Sequence, residues 1–237
     1  MNDQPTRVAL VSGGAKGIGA AIAARLSRDG WRVVVADRAP GGAAPFGGRY
    51  VECDVANEEG VSAVLRSVDA AEQRLDALIC NAGFMIRKPI ADMSLAEWSS
   101  VLATNLTSTF LLVRAAERLL RAAKGVIVTI ASSRARMSER DTESYSASKG
   151  GLVALTHALA ISLGPDVRAN CISPGWIQTE GPEPSAEEHA FHPAGRVGRA
   201  EDIAGLVAFL VGPDGGFIAG AEFVVDGGVT RKMIYPE

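Results

Sequence analysis

The chain has 237 residues, 47% of them hydrophobic, 22% charged and 5% aromatic, with 26 glycines, a globular composition large enough for one sizeable core. A formal charge of −3 removes the electrostatic case for nucleic acid or an anionic membrane as partner. No apolar run approaches the ~18 residues needed to span a bilayer.

Short apolar runs alternate with amphipathic stretches. Strands are predicted at residues 7–11, 32–36, 50–52, 77–80, 125–130, 168–172 and 222–225, and helices at 18–29, 58–71, 95–122, 144–163 and 200–210. The strands read as continuous apolar runs, the pattern of strands buried on both faces of a parallel sheet. Repeated β-α units predict an α/β, doubly wound (Rossmann) fold: a mostly parallel seven-stranded sheet with helices on both faces. Residues 1–237 read as a single domain, with the cofactor-binding half before about residue 125 and the catalytic half after it. The Gly- and Pro-rich loops at 39–48 and 174–195 read as insertions. The N-terminal Met1, Asn2, Asp3, Gln4 and Pro5 lead straight into the first strand without the apolar core of a signal peptide. Cys53, Cys80 and Cys171 stand apart with no metal-ligand spacing, so buried free thiols, a cytoplasmic setting and no metal are expected.

The first strand runs into Ser12, Gly13, Gly14, Ala15, Lys16, Gly17, Ile18 and Gly19, followed by the small-residue helix start Ala20 to Ala24. Glycines at a strand-to-helix turn let the backbone approach a pyrophosphate, and the helix N-terminus adds free N–H groups and a positive dipole end. The second strand ends at Asp37, whose carboxylate suits adenosine ribose hydroxyls and repels a 2′-phosphate. NAD is therefore expected. Lys16 and Arg38 keep NADP open.

Tyr145 and Lys149 lie four apart in a helical pattern, which places a phenol and an ammonium on one face. A tyrosine titrates near ~10, and lowering that by about three units takes roughly 4 kcal/mol. One cation at ~5 Å in an effective dielectric of ~20 supplies on the order of 3 kcal/mol.

Together these motifs resemble the short-chain dehydrogenase/reductase family, in its form of roughly 250 residues, over essentially the whole chain. The glycine spacing is met by Gly13, Gly17 and Gly19, with Ser12 where many members have threonine. Asn81, Ala82 and Gly83 resemble the turn after the fourth strand that borders the cofactor, and Asp54 with Val55 the acid facing the adenine. Pro174, Gly175, Ile177 and Thr179 resemble the segment lining the nicotinamide. Residues 217–220 and 224–228 look like the family's last loop and strand. The resemblance implies a serine 13 residues before the tyrosine, which is Ser132, with Ser133 as the neighbouring alternative. It also implies that Asn105 bends a helix and holds a water of a proton relay.

The expected activity is hydride transfer between a nicotinamide cofactor and a secondary alcohol or ketone. Tyr145 would move the proton, Ser132 would hold the substrate oxygen, and Lys149 would tune the tyrosine and bind the nicotinamide ribose. An NADPH-dependent 3-oxoacyl-thioester reductase is the alternative, disfavoured by Asp37. A dinucleotide-sensing protein without turnover is a third reading, disfavoured because serine, tyrosine and lysine are all present.

Other residues have plainer expectations. His157 reads as packing. His189 and His192 read as solvated residues of a lid-like loop at 180–195, whose modest length suggests a compact substrate. Arg134 and Arg136 read as surface charges, with a carboxylate or phosphate on the substrate as the sharper alternative, reinforced by Arg87 and Lys88. Apolar or small residues on more than one face of the 95–122 and 144–163 helices suggest burial against symmetric copies, and the family is usually dimeric or tetrameric. The tail 229–237 would either fray or pack over the substrate mouth.

Overall fold

The computed structural model describes residues 6–40, 42, 44 and 47–233. Its central sheet contains β1 (Val8–Ser12), β2 (Arg32–Asp37), β3 (Arg49–Glu52), β4 (Ala77–Cys80), β5 (Val126–Ile130), β6 (Arg168–Pro174) and β9 (Glu222–Val225). The strands lie in the order β3-β2-β1-β4-β5-β6-β9, every pair parallel. The family-like, doubly wound α/β architecture is thus present, with the sheet wholly rather than mostly parallel.

Strand alternation divides the core. Leu10, Val34, Leu78 and Ile127 meet α2 (Glu58–Glu72), α4 (Ser108–Ala123) and the end of α5 (Glu143–Leu163) on one face. Val11, Val35, Ile79 and Val128 meet α1 (Gly17–Arg28) and α7 (Ala200–Val211) on the other. Because both faces are covered, the strands show no polar alternation. Strand order reverses between β1 and β4, and their carboxyl ends open a crevice there.

Two departures from the sequence expectation bear on the site. The stretch expected as one helix is α3 (Leu95–Leu102), a π-helical turn at Ala103–Thr107, and then α4. Such a turn inserts an extra residue into the helical register and is frequent at functional sites. The loop expected after β6 holds β7 (Ile177–Gln178), α6 (Ala186–Phe191) and β8 (Gly198–Arg199), with β7 and β8 paired in parallel. Elements of two and six residues are too short for periodicity to reveal. The Ser185–Glu188 capping box that starts α6 was nevertheless a readable signal.

Candidate active site

The turn after β1 is built around absent side chains. A β-carbon on Gly19 would stand 2.2 Å from the Gly13 carbonyl oxygen, and one on Gly13, at φ +64°, would stand 2.7 Å from Ala82 Cα. The Ser12 hydroxyl accepts from the N–H groups of Asn81 (3.0 Å) and Ala82 (3.2 Å), so it ties β1 to the turn after β4. Asn81 Nδ2 returns bonds to the Ser12 and Gly13 carbonyls. Backbone is thereby laid bare at the start of α1, the geometry a pyrophosphate needs. Asp37 closes the turn: its carboxylate accepts from the Ala15 N–H at 3.0 Å and the Ala39 N–H at 3.3 Å. These residues fit a dinucleotide.

A cavity of about 440 Å³ runs from this turn to the ends of β4, β5 and β6. Its walls include Gly13, Lys16, Gly17, Ile18, Asp37, Arg38, Asp54, Val55, Asn81, Ala82 and Gly83 on the glycine-turn side, and Ser132, Tyr145, Lys149, Pro174, Gly175, Ile177 and Thr179 on the other. Three residues expected at the site lie behind that wall. Ala15 and Gly19 shape the turn, and Asn105 is buried. Phe84, Thr104 and Glu180 also line the cavity without having been assigned to it, as does Arg134, for which a substrate contact was the alternative to a surface charge. Glu180 holds Lys16 in an ion pair of 2.9 Å, a partnership between distant loops that spacing cannot reveal.

Ser132 follows β5, and Tyr145 and Lys149 occupy the first two turns of α5. Lys149 is 3% exposed; its Nζ donates to the Ile130 carbonyl at 2.8 Å and lies 5.5 Å from the Tyr145 ring centre. Burial lowers the lysine to about 8. Burial also raises the tyrosine, against the smaller opposing effects of the Ser132 hydroxyl and the Arg134 guanidinium. That direction reverses the expectation drawn from the lysine: desolvation of the phenolate outweighs its neighbours, and the counteracting cation is Arg134.

Asn105 sits on the π-helical turn, as a helix-bending residue should. Its amide bonds to protein on both sides. Oδ1 accepts from the Phe84 N–H, while Nδ2 donates to the Phe84 carbonyl and to Ser148 Oγ, at 2.9, 2.9 and 3.0 Å. Ser148 in turn donates to the Tyr145 carbonyl at 2.7 Å. The side chain thereby clamps the β4 turn onto the first turns of α5. A β-carbon on Gly83 would lie 3.2 Å from Asn105 Oδ1 and 3.3 Å from Lys149 Nζ, so a side chain there would crowd both.

Adjoining the first cavity, a second of about 590 Å³ shares Ser132, Arg134, Gly175 and Ile177 with it. His192 lines it at 3% exposure, its ring 6.1 Å from Trp176 and 5.9 Å from Phe191, and its Nδ1 2.9 Å from the Glu188 carbonyl. A solvated loop position was expected; α6 folds it inward instead. His189 is half-buried and accepts the Val197 N–H at 3.1 Å. His157, expected to pack, is exposed on α5. Arg136 faces away from the cofactor cavity and pairs with Glu222, whereas Arg134 stays at the site. In the tail, Val229 and Thr230 line the second cavity and Lys232 Nζ reaches the Phe191 carbonyl at 3.3 Å; residues 234–237 lie outside those described. Cys53, Cys80 and Cys171 are free and buried, and burial raises each thiol. No described helix is long and apolar enough to cross a membrane, and no group of metal-binding side chains occurs among the described residues.

A glycine-turn crevice leading to a serine, a tyrosine and a lysine is the layout of a dinucleotide-linked oxidoreductase. A family model described as enoyl-(acyl carrier protein) reductase matches residues 13–230. An uncharacterized oxidoreductase of Thermotoga maritima is 44% identical, covering 98% of both chains. D-threitol dehydrogenase of Mycolicibacterium smegmatis is 38% identical, over 95% of this chain and 94% of its own. The solved structure of an apo SCOR enzyme from Clostridium thermocellum superposes with a TM-score of 0.91 at 38% identity, over 99% of this chain and 96% of that one. The chain belongs to the short-chain dehydrogenase/reductase family and is an oxidoreductase.

Proposed function

We propose that this enzyme interconverts a secondary alcohol and its ketone with NAD, with the proton moved at Tyr145. The observation that carries this reading is the convergence of Ser132, Tyr145 and Lys149 on one wall of the cavity that begins at the glycine turn. The nicotinamide, when bound, would supply or accept the hydride that no side chain of the protein can carry.

The chain's own residues do the rest. The Ser132 hydroxyl holds the substrate oxygen, and the Tyr145 phenol gives it a proton in reduction or takes one in oxidation. Lys149, whose burial brings it to about 8, is a proton partner beside the phenol and a ligand for ribose hydroxyls. Asn105 keeps the Tyr145 turn in register through Ser148. Asp37 at the end of β2 favours NAD, and the engagement of Lys16 by Glu180 supports the same choice. Pairing of α5 faces in a dimer or tetramer completes the reading.

The test is Tyr145→Phe: dinucleotide binding, followed by fluorescence of the reduced nicotinamide, should persist while turnover falls by about a hundredfold or more. Retained turnover would remove the tyrosine from the chemistry.

A further inference from the structure

Resting on the reading that Tyr145 moves the proton, we infer that the substrate carries a carboxylate a few bonds from its reacting carbon, and that Arg134 receives it. Arg134 lies on the 3-10 turn directly after Ser132 and lines both cavities. Its Cζ is 6.0 Å from the Tyr145 ring centre. A group bound there is therefore next to the oxygen being protonated.

At Glu139 the charges do not balance. Arg134 Nη2 reaches Glu139 Oε2 at 2.6 Å, and Arg87 Nη2 bonds that same oxygen. Two guanidinium groups share one carboxylate, leaving one positive charge over. Asp226, the other acid of the second cavity, has its two oxygens on the N–H groups of Gly228 and Thr230, at 2.8 and 2.7 Å. Lys88 is matched by Glu97 and Arg136 by Glu222.

The Arg134 side chain is partly exposed, at 26%, where it lines the cavities. Its Nε is enclosed by protein, so a ligand in the cavity meets the terminal nitrogens of the guanidinium. The planar fork of a guanidinium matches a carboxylate with two parallel bonds. A single surplus charge suits a monoanion better than a phosphate dianion.

The experiment compares acetoacetate and levulinate, each against its methyl ester, in reduction with NADH. The wild type should favour at least one acid over its ester by about tenfold in kcat/KM, as a charge-assisted bond would give. Arg134→Gln should erase that preference, and Arg134→Lys should keep part of it. The inference is overturned if neither acid is preferred, or if Arg134→Gln leaves the preference intact. It is also overturned if Arg134→Gln depresses acid and ester alike while shifting the pH profile, which would make Arg134 only a tuner of Tyr145. A binding arm separates this from the mechanism: the preferred acid is titrated calorimetrically into Tyr145→Phe enzyme holding NAD. Binding that disappears on adding Arg134→Gln upholds the inference whatever becomes of the tyrosine's role, and absence of binding to Tyr145→Phe overturns it.

Discussion

Lys16 Nζ lies 2.9 Å from Glu180 Oε1, so the residue before α1 is held by the segment after β7 across the mouth of the cofactor cavity. Both side chains are exposed, at 76% and 63%, and such a pair contributes little to stability. Its consequence is for selectivity. Of the two cations that could meet a 2′-phosphate, Lys16 and Arg38, the first already has an anion beside it, and that anion would repel the phosphate. Glu180→Gln should raise kcat/KM for NADP relative to NAD by a few fold, up to about fivefold, given how weak exposed pairs are. Asp37→Ala should raise it further. Initial rates with the two cofactors check this, and an unchanged ratio in Glu180→Gln would leave selectivity to Asp37 and Arg38.

Lys149 links the site to stability through pH. Its folded-state value of about 8 lies below the ordinary 10.5, so burying the charged form costs free energy at any pH below about 8. That cost shrinks as pH rises and is gone above 10.5, where the lysine is neutral in both states. The stability advantage of Lys149→Met over the wild type should therefore decline between pH 8 and 10.5, by on the order of 3 kcal/mol. Urea unfolding of both proteins across that range measures it. A constant difference would show that the lysine is not desolvated.

Asn105 should matter to architecture before chemistry. Replacing it with alanine strands the Phe84 N–H and carbonyl and frees the Ser148 hydroxyl. The expected loss is about 1–3 kcal/mol in urea unfolding, because the lost partners are largely buried. Turnover should fall with it, while the KM for dinucleotide changes less, since the glycine turn is untouched. Full activity in a destabilised Asn105→Ala enzyme would detach the clamp from catalysis.

The outer face of α5 makes a prediction about assembly. Ala147, Ala154, Ala158 and Ile161 are exposed at helical spacing, Ile161 at 83%. Small residues let two helices approach closely, and an exposed isoleucine in such a row gains by being covered. Ala154→Arg with Ile161→Glu should reduce the mass in solution, read by light scattering. An unaltered mass would place the contact between copies elsewhere.

The sheet was legible because each strand is a short, continuous apolar run, and β4 and β9 occupy the residues expected of them. The crevice was legible because its glycines are required by local backbone geometry, as at Gly13 and Gly19. Less visible was the segment after β6. Its elements are too short to show periodicity, so His192 read as solvated when α6 turns it against Trp176. His157 went wrong in the other direction, because apolar spacing does not say which face of α5 is covered.

By itself, the chain determined the architecture and the glycine-turn crevice, since these follow from local periodicity and turn geometry, while the place of Ser132 beside Tyr145 and Lys149 was implied by the resemblance of its motifs to a family. Only the tertiary structure decided the electrostatics of the cavity wall. Whether a phenol is raised or lowered depends on desolvation and on side chains that approach through space. The same holds for Asn105 engaged as a clamp, for Arg136 drawn off by Glu222, and for Arg134 sharing Glu139 with Arg87 beside Tyr145.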